Sequence, residues 1–326
     1  MYMLSKRDDS STSPVNRNFY DDVMCGLRQT EKSLPSKYFY DAQGDVLFQQ
    51  IMHCPEYYLT RCEEEILREQ REDLAPCVSL GDDVTLVELG AGDGSKTFHL
   101  LQCLVSNYKH VTYHPIDISS HILKHLEADL GNKLPELSID SYHGDYFEGL
   151  AALQQQGHTP KVVLFLGANI GNMPKAEAMQ FCIRMRSFLN KGDKVLIGFD
   201  LVKNPRIIQA AYDDEAGLTR RFNINLLTRM NRELDADFNE ELFEHYCHYD
   251  PTSGTCSSYL VSLLEHTVLF PEDEIHFDKG ELIHMEVSQK YLPSEIDHMA
   301  SETGFAPVKT FTDKRGWFVD VLWEAK

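Results

Sequence analysis

Residues 84–97 read VTLVELGAGDGSKT, and this stretch constrains the chain more than any other. A short run of β-branched and apolar residues ends in an acid, Glu88. Glycines at alternate positions, Gly90, Gly92 and Gly94, follow, and then a helix start. Strand, tight turn and helix N-terminus in that order let a ligand reach the backbone, because glycine adopts positive φ and puts no Cβ in the way. The free N–H groups and dipole of the helix start favour a polar or anionic ligand group. A dinucleotide-binding turn spaces its glycines G-x-G-x-x-G, the last placed for helix packing. The E-x-G-x-G-x-G register here does not fit that pattern.

The register instead resembles the first motif of class I S-adenosylmethionine (SAM) methyltransferases, whose cofactor carries no phosphate. Two further strand ends agree. Residues 111–119, VTYHPIDIS, read as a second strand ending in Asp117; in doubly wound folds an acid there bonds ribose hydroxyls. Residues 141–147, SYHGDYF, place Asp145 beside Tyr146. A carboxylate can accept from an exocyclic amine while the ring stacks on the base, which suits adenine.

The chain has 326 residues, with 51 acidic against 31 basic side chains and a formal net charge of −20. Nucleic-acid enzymes meet phosphates with a basic footprint, and no Lys/Arg cluster stands out. No nucleic-acid partner is expected, and anionic membrane surfaces are disfavoured. No apolar run approaches the roughly 20 residues that cross a bilayer. Residues 1–17 are polar, lack the apolar core of a signal peptide and read as a disordered leader. The eight cysteines show no C-x-x-C pair and no zinc-ligand spacing. No metal is expected, and the location reads as cytoplasmic.

Strand-like segments (84–89, 111–117, 137–142, 161–166, 194–200) alternate with helical ones (95–106, 119–131, 174–190), which implies parallel βαβ units. Residues 19–75 read as helical with a break at 34–41. After Asp200 come helices at 206–212 and 214–234, then short strands over 240–290. A helix at 294–304 and strands at 307–312 and 317–323 return to the first unit. The expected fold class is α/β: a Rossmann-like class I SAM methyltransferase sheet over 66–200 and 287–326. An inserted α+β substrate-binding unit over 201–286 receives a contribution from the N-terminal helices, 18–65.

Several ordered segments together resemble the histidine-specific Nα-methyltransferases of ergothioneine biosynthesis. They are LPSKYFYD (34–41), PEYYLTR (55–61), ELGAG (88–92), FLGANIGN (165–172), DLVK (200–203), AYDDEAG (211–217), NRELDADF (231–238) and EVSQKY (286–291). The resemblance runs from about residue 18 to the C-terminus. It implies that Tyr40, Gly90, Lys96, Asp117, Asp145 and Tyr146 contact SAM. It implies that Tyr57, Gly167, Asn172 and Tyr212 surround the amine and carboxylate of an amino-acid substrate. Tyr57 would also orient the amine and help it lose protons. Glu286 and Ser288 would bond the imidazole. One departure is Ser258, where a Met is expected beside the imidazole; a smaller polar residue would enlarge or rewet the pocket.

The residue types suit that chemistry. Methyl transfer from a sulfonium needs an amine lone pair held close to the methyl and in line with the breaking bond. Asn172 and Tyr212 could fix a carboxylate without a cation that repels the sulfonium. Glu286 and Ser288, two apart on a strand, share a face; one accepts and the other donates, which reads imidazole. The runs Glu63–Glu65 and Asp213–Asp214 read as surface or helix-start charge. The reading is a SAM-dependent methyltransferase acting successively on the α-amine of L-histidine. Alternatives are another amino acid or biogenic amine as substrate, an NAD-dependent oxidoreductase, or a binding protein without turnover.

Overall fold

The computed structural model describes residues 17–79, 83–155 and 159–326. The chain begins with α1 (Arg17–Leu27), a two-residue strand β1 (Lys32–Ser33), α2 (Ala42–Met52), α3 (Tyr58–Glu69) and α4 (Arg71–Val78). Then come β2 (Asp83–Leu89), α5 (Phe98–Asn107), β3 (His110–Asp117), α6 (Ser120–Lys133), β4 (Ser138–Ile139) and β5 (Tyr142–His143). The alternation ends with α7 (Tyr146–Gln155), β6 (Val162–Phe165), α8 (Lys175–Arg186) and β7 (Lys194–Asp200). Next are α9 (Pro205–Ala210), α10 (Leu218–Leu234), β8 (Phe243–Asp250), β9 (Thr255–Ser262), β10 (His266–Leu269) and β11 (Glu274–Phe277). The chain closes with β12 (Leu282–Gln289), α11 (Pro293–Glu302), β13 (Phe305–Thr312) and β14 (Phe318–Ala325).

The main sheet runs β13-β14-β7-β6-β2-β3-β4, with β5 also pairing β3. Strands β4, β3, β2, β6 and β7 are parallel, and β14 and β13 close the edge antiparallel. The central strands are near-continuous apolar runs because helices cover both faces. Val84, Leu86, Leu164 and Leu196 pack on one side. Val87, Leu89, Val163, Phe165 and Ile197 pack on the other. Strand order reverses beside β2, whose neighbours are β3 and β6. In open α/β sheets the ligand crevice lies at the carboxyl ends of such strands.

A second sheet, β1-β12-β9-β8, is antiparallel except where β1 joins β12 in parallel. Helices α1, α2 and α10 cover its inner face. Phe19, Leu27, Leu47, Phe222 and Leu226 pack there against Leu260, Ile283 and Met285. Helix α3 runs continuously across the 65/66 boundary of the expected division, and β12 runs across 286/287.

Several local expectations are revised. The 137–142 strand is two short strands, β4 and β5, and the helix α7 that follows was not anticipated. The helix expected from 214 begins at Leu218, because Asp214 caps it: its carboxylate accepts from the Leu218 and Thr219 N–H groups at 2.7 and 2.8 Å. Strand β1 interrupts the stretch read as helical. The expected leader lies outside the described residues except Arg17, which starts α1. Among the described residues no helix is long and apolar enough to cross a membrane.

Candidate active site

At the carboxyl ends of β2, β3 and β6 the structure encloses a cavity of about 360 Å³. Gly90, Gly92 and Gly94 turn the chain there with φ of +72°, +56° and +70°, values an L side chain resists. Gly90 lies so close to Tyr146 that a Cβ would sit 2.8 Å from its hydroxyl. Asp117, at the end of β3, accepts from Gly92 N–H at 3.0 Å and Ser119 N–H at 2.9 Å. A carboxylate offers about four lone-pair sites, so two remain for vicinal hydroxyls. Burial pushes its pKa up, partly offset by those backbone donors.

Glu88 also lines the cavity. It accepts from Tyr113 Oη at 2.5 Å and Thr97 Oγ at 2.8 Å. Burial raises its pKa to about 7 despite those donors. Tyr146 presents its ring to the cavity against Phe165 and Phe181. Asp145 stands apart: it is exposed, and its carboxylate accepts from Phe147 N–H at 2.8 Å at the start of α7. It is not among the cavity-lining residues.

Lys96 reaches the cavity and pairs with Glu63. Glu63 is not the surface charge expected from sequence; it is fully buried, and its other oxygen accepts from Gly167 N–H at 2.6 Å. One carboxylate thus ties the lysine to the loop after β6. In that loop Gly167 and Ala168 have φ of +76° and +56°. The cavity, the spare acceptors of Asp117, the Tyr146 ring and the Lys96 ammonium together fit a nucleoside joined to an amino-acid tail.

A smaller pocket opens from the first, sharing Tyr40, Phe48, Tyr57, Leu59, Gly167, Asn169 and Asn172 as common walls. Its far end is lined by Tyr212, Thr219, Phe222, Glu286 and Ser288. Tyr40, expected at the cofactor, therefore faces both spaces. A bulge between His284 and Glu286 shifts the β12 register, and such bulges re-aim side chains. Glu286 then pairs with Ser258, and Ser288 with Cys256, on the buried face of β9. Burial raises the Glu286 pKa to about 7, against a lowering by Lys290. Ser258 is buried beside Glu286 and is not among the residues lining the pocket. Tyr57 packs edge-on to Tyr212 at 6.1 Å. Burial above all holds its phenol well above the usual range.

Lys290 was not anticipated as a site residue. It is fully buried and donates to Tyr212 Oη at 2.8 Å and Ser288 Oγ at 2.7 Å. Only its place two residues after Ser288 hinted at a role. Phe48, Asn169 and Phe222 were also missed; Asn169 lies in the FLGANIGN segment at 165–172, while no sequence signal separates Phe48 and Phe222 from core residues.

The sheet order, the glycine turn and the acid-ended strands define a class I SAM-dependent methyltransferase. Residues 19–325 match the family of histidine-specific, SAM-dependent methyltransferases, and the chain belongs to it. Its cofactor is SAM, and it is a methyltransferase directed at histidine. It is 36% identical over 312 residues to histidine N-alpha-methyltransferase of Mycolicibacterium smegmatis, covering 95% of this chain and 94% of that one. The enzyme of the same name from Mycobacterium tuberculosis is 34% identical over 306 residues, covering 91% and 92%. Ergothioneine biosynthesis protein 1 of Schizosaccharomyces pombe is 30% identical over 293 residues, 85% of this chain and 37% of that protein.

Asp117→Ala removes a carboxylate placed for the cofactor and frees two backbone N–H groups. Loss of charged hydrogen bonds is expected to weaken SAM binding about 10- to 100-fold. Calorimetric titration of SAM into the variant checks this; an unchanged dissociation constant removes Asp117 from the cofactor site.

Proposed function

We propose that this enzyme methylates the α-amino nitrogen of L-histidine, repeatedly, to the trimethylated betaine. The observation that carries the reading is the pocket ending in Glu286 and Ser288, which opens into the cavity formed by the glycine turn. SAM, when bound, supplies an electrophilic methyl group on a sulfonium.

Every other contribution is positional. Lys96 would pair with the cofactor's carboxylate, Asp117 would accept its ribose hydroxyls, and Tyr146 would pack against its base beside Gly90. Tyr40, on the shared wall, would close over the junction. Glu286 would accept the imidazole N–H and Ser288 would donate to the other ring nitrogen. Asn172 and Tyr212 would hold the substrate carboxylate. Tyr57 and the Gly167 carbonyl would accept hydrogens of the amine, turning its lone pair toward the cavity. Water takes the released protons. Removing two reactants' orientational freedom in this way accounts for large rate gains without covalent catalysis.

Supply of the betaine to ergothioneine synthesis and a cytosolic setting belong to the same proposal. The first is supported by the likeness to the fission-yeast protein, the second by eight cysteines, none in a disulfide. Mass spectrometry after incubation with SAM, the common amino acids and indole amines tests the substrate. Histidine alone is expected to gain up to three methyls. Methylation of another amine in its place overturns the reading.

A further inference from the structure

Two buried lysines behind the pocket share one carboxylate. Asp200, at the end of β7, pairs with Lys203 and, at 2.7 Å, with Lys290. All three side chains are 5% exposed or less. Among the described residues no other carboxylate makes an ion pair with either lysine. Tyr58 donates to Asp200 at 2.7 Å and accepts from Lys203 at 2.9 Å, and Leu201 O accepts from Lys203 at 2.6 Å. These groups are neutral. Within this cluster two ammonium groups share one carboxylate, so one positive charge is left to be met from the pocket side, where Glu286 also feels Lys290.

Lys290 points that excess at the pocket. An ammonium has three donors and no acceptor. Lys290 donates to Tyr212 Oη and Ser288 Oγ and forms its ion pair with Asp200. Neither hydroxyl can donate back to Lys290. The two oxygens lie 2.6 Å apart, so one proton can bridge them. At least one proton must then be offered to whatever fills the pocket. Tyr212 and Ser288 line the pocket, and Lys290 does not. The cation thus stands one hydroxyl away from substrate and clear of the cofactor cavity.

Resting on the function proposed above, we infer that Lys290 is a positioning residue supplying the positive charge for the substrate carboxylate, through the Tyr212 hydroxyl. The site thereby selects α-amino acids over the corresponding amines and amides. A carboxylate bound at Tyr212 neutralises the excess charge; an amide or a hydrogen in its place does not. Asn172 and Tyr212 were expected to fix the carboxylate without a cation that repels the sulfonium; Lys290 stands behind Tyr212 and outside the cofactor cavity.

The test compares L-histidine, L-histidinamide and histamine in the wild-type enzyme and in Lys290→Met, with SAM affinity measured in parallel. In the wild type kcat/KM for histidine is expected to exceed that for the amide about 100-fold, the scale of a charge-assisted hydrogen bond. In Lys290→Met the histidine KM is expected to rise about 10- to 100-fold with kcat and SAM affinity little changed, and the ratio over the amide to fall below about tenfold. The amide's own amine reactivity is the same in both proteins, so the change in ratio isolates the carboxylate term. In a Tyr212→Phe background Lys290→Met is expected to change the ratio no further. A histidine-to-amide ratio unaltered by Lys290→Met overturns the inference. Should that variant not fold, equal wild-type kcat/KM for histidine and its amide overturns it. Absence of histidine turnover in the wild type would instead strike the proposed function.

Discussion

Glu286→Ala is expected to lower kcat/KM for histidine on the order of a thousandfold, because a buried partner of a polar substrate atom is removed. SAM affinity is expected to hold, since Glu286 lines only the inner pocket. Steady-state kinetics with separate SAM titration reads both. A loss of SAM binding equal to the loss of turnover would show a structural fault instead. The charge state adds a second signature. With a pKa near 7, Glu286 becomes a better acceptor for an imidazole N–H as pH rises, so the histidine KM is expected to fall between about pH 6 and about pH 8. Dividing the wild-type profile by that of Glu286→Gln isolates this titration from that of histidine itself. Stability runs the other way. Between the ordinary 4.5 and about 7 the folded protein holds a proton that the unfolded chain has lost. This group's contribution to stability therefore declines as pH rises through that window.

Asp200→Ala leaves Lys203 and Lys290 buried without a carboxylate. Breaking a buried pair by removing one partner costs about 3–5 kcal/mol, and here two cations are stranded. The variant is expected to unfold at markedly lower urea than the wild type. Lys290→Met, which removes the excess charge while keeping the Asp200–Lys203 pair, is expected to be far less damaging. A urea midpoint for Asp200→Ala equal to that of the wild type would contradict the charge arrangement described for the cluster.

How far the sequence revealed this site depends on the kind of signal. The glycine turn, Asp117 and the parallel strands were legible because apolar strand runs and turn residues are local features. Glu63 was legible in principle. Leu59, Cys62, Glu63, Ile66 and Leu67 are buried on one face of α3, at helical spacing, yet three consecutive glutamates suggested a solvated surface. The pairing of Glu286 with Ser288 was expected on a shared strand face. Its geometry was not legible: Ile283 is buried and His284 is not, and strict alternation from there puts Glu286 and Ser288 outward. The bulge between His284 and Glu286 reverses the face. Bulges arise from strand pairing, which a single strand's pattern does not report. Lys290 reads as an ordinary strand-end lysine until β7 and Tyr212 are brought beside it.

The central claim is that imidazole sits at the closed end of the inner pocket and the α-amine at the junction with the cofactor cavity. NMR of the product from L-histidine and SAM tests this orientation most directly. The expected product carries all its methyls on the α-nitrogen, three equivalent groups at completion, with both ring nitrogens unmodified. A methyl group on a ring nitrogen would place the imidazole at the cofactor and contradict the assignment of Glu286 and Ser288.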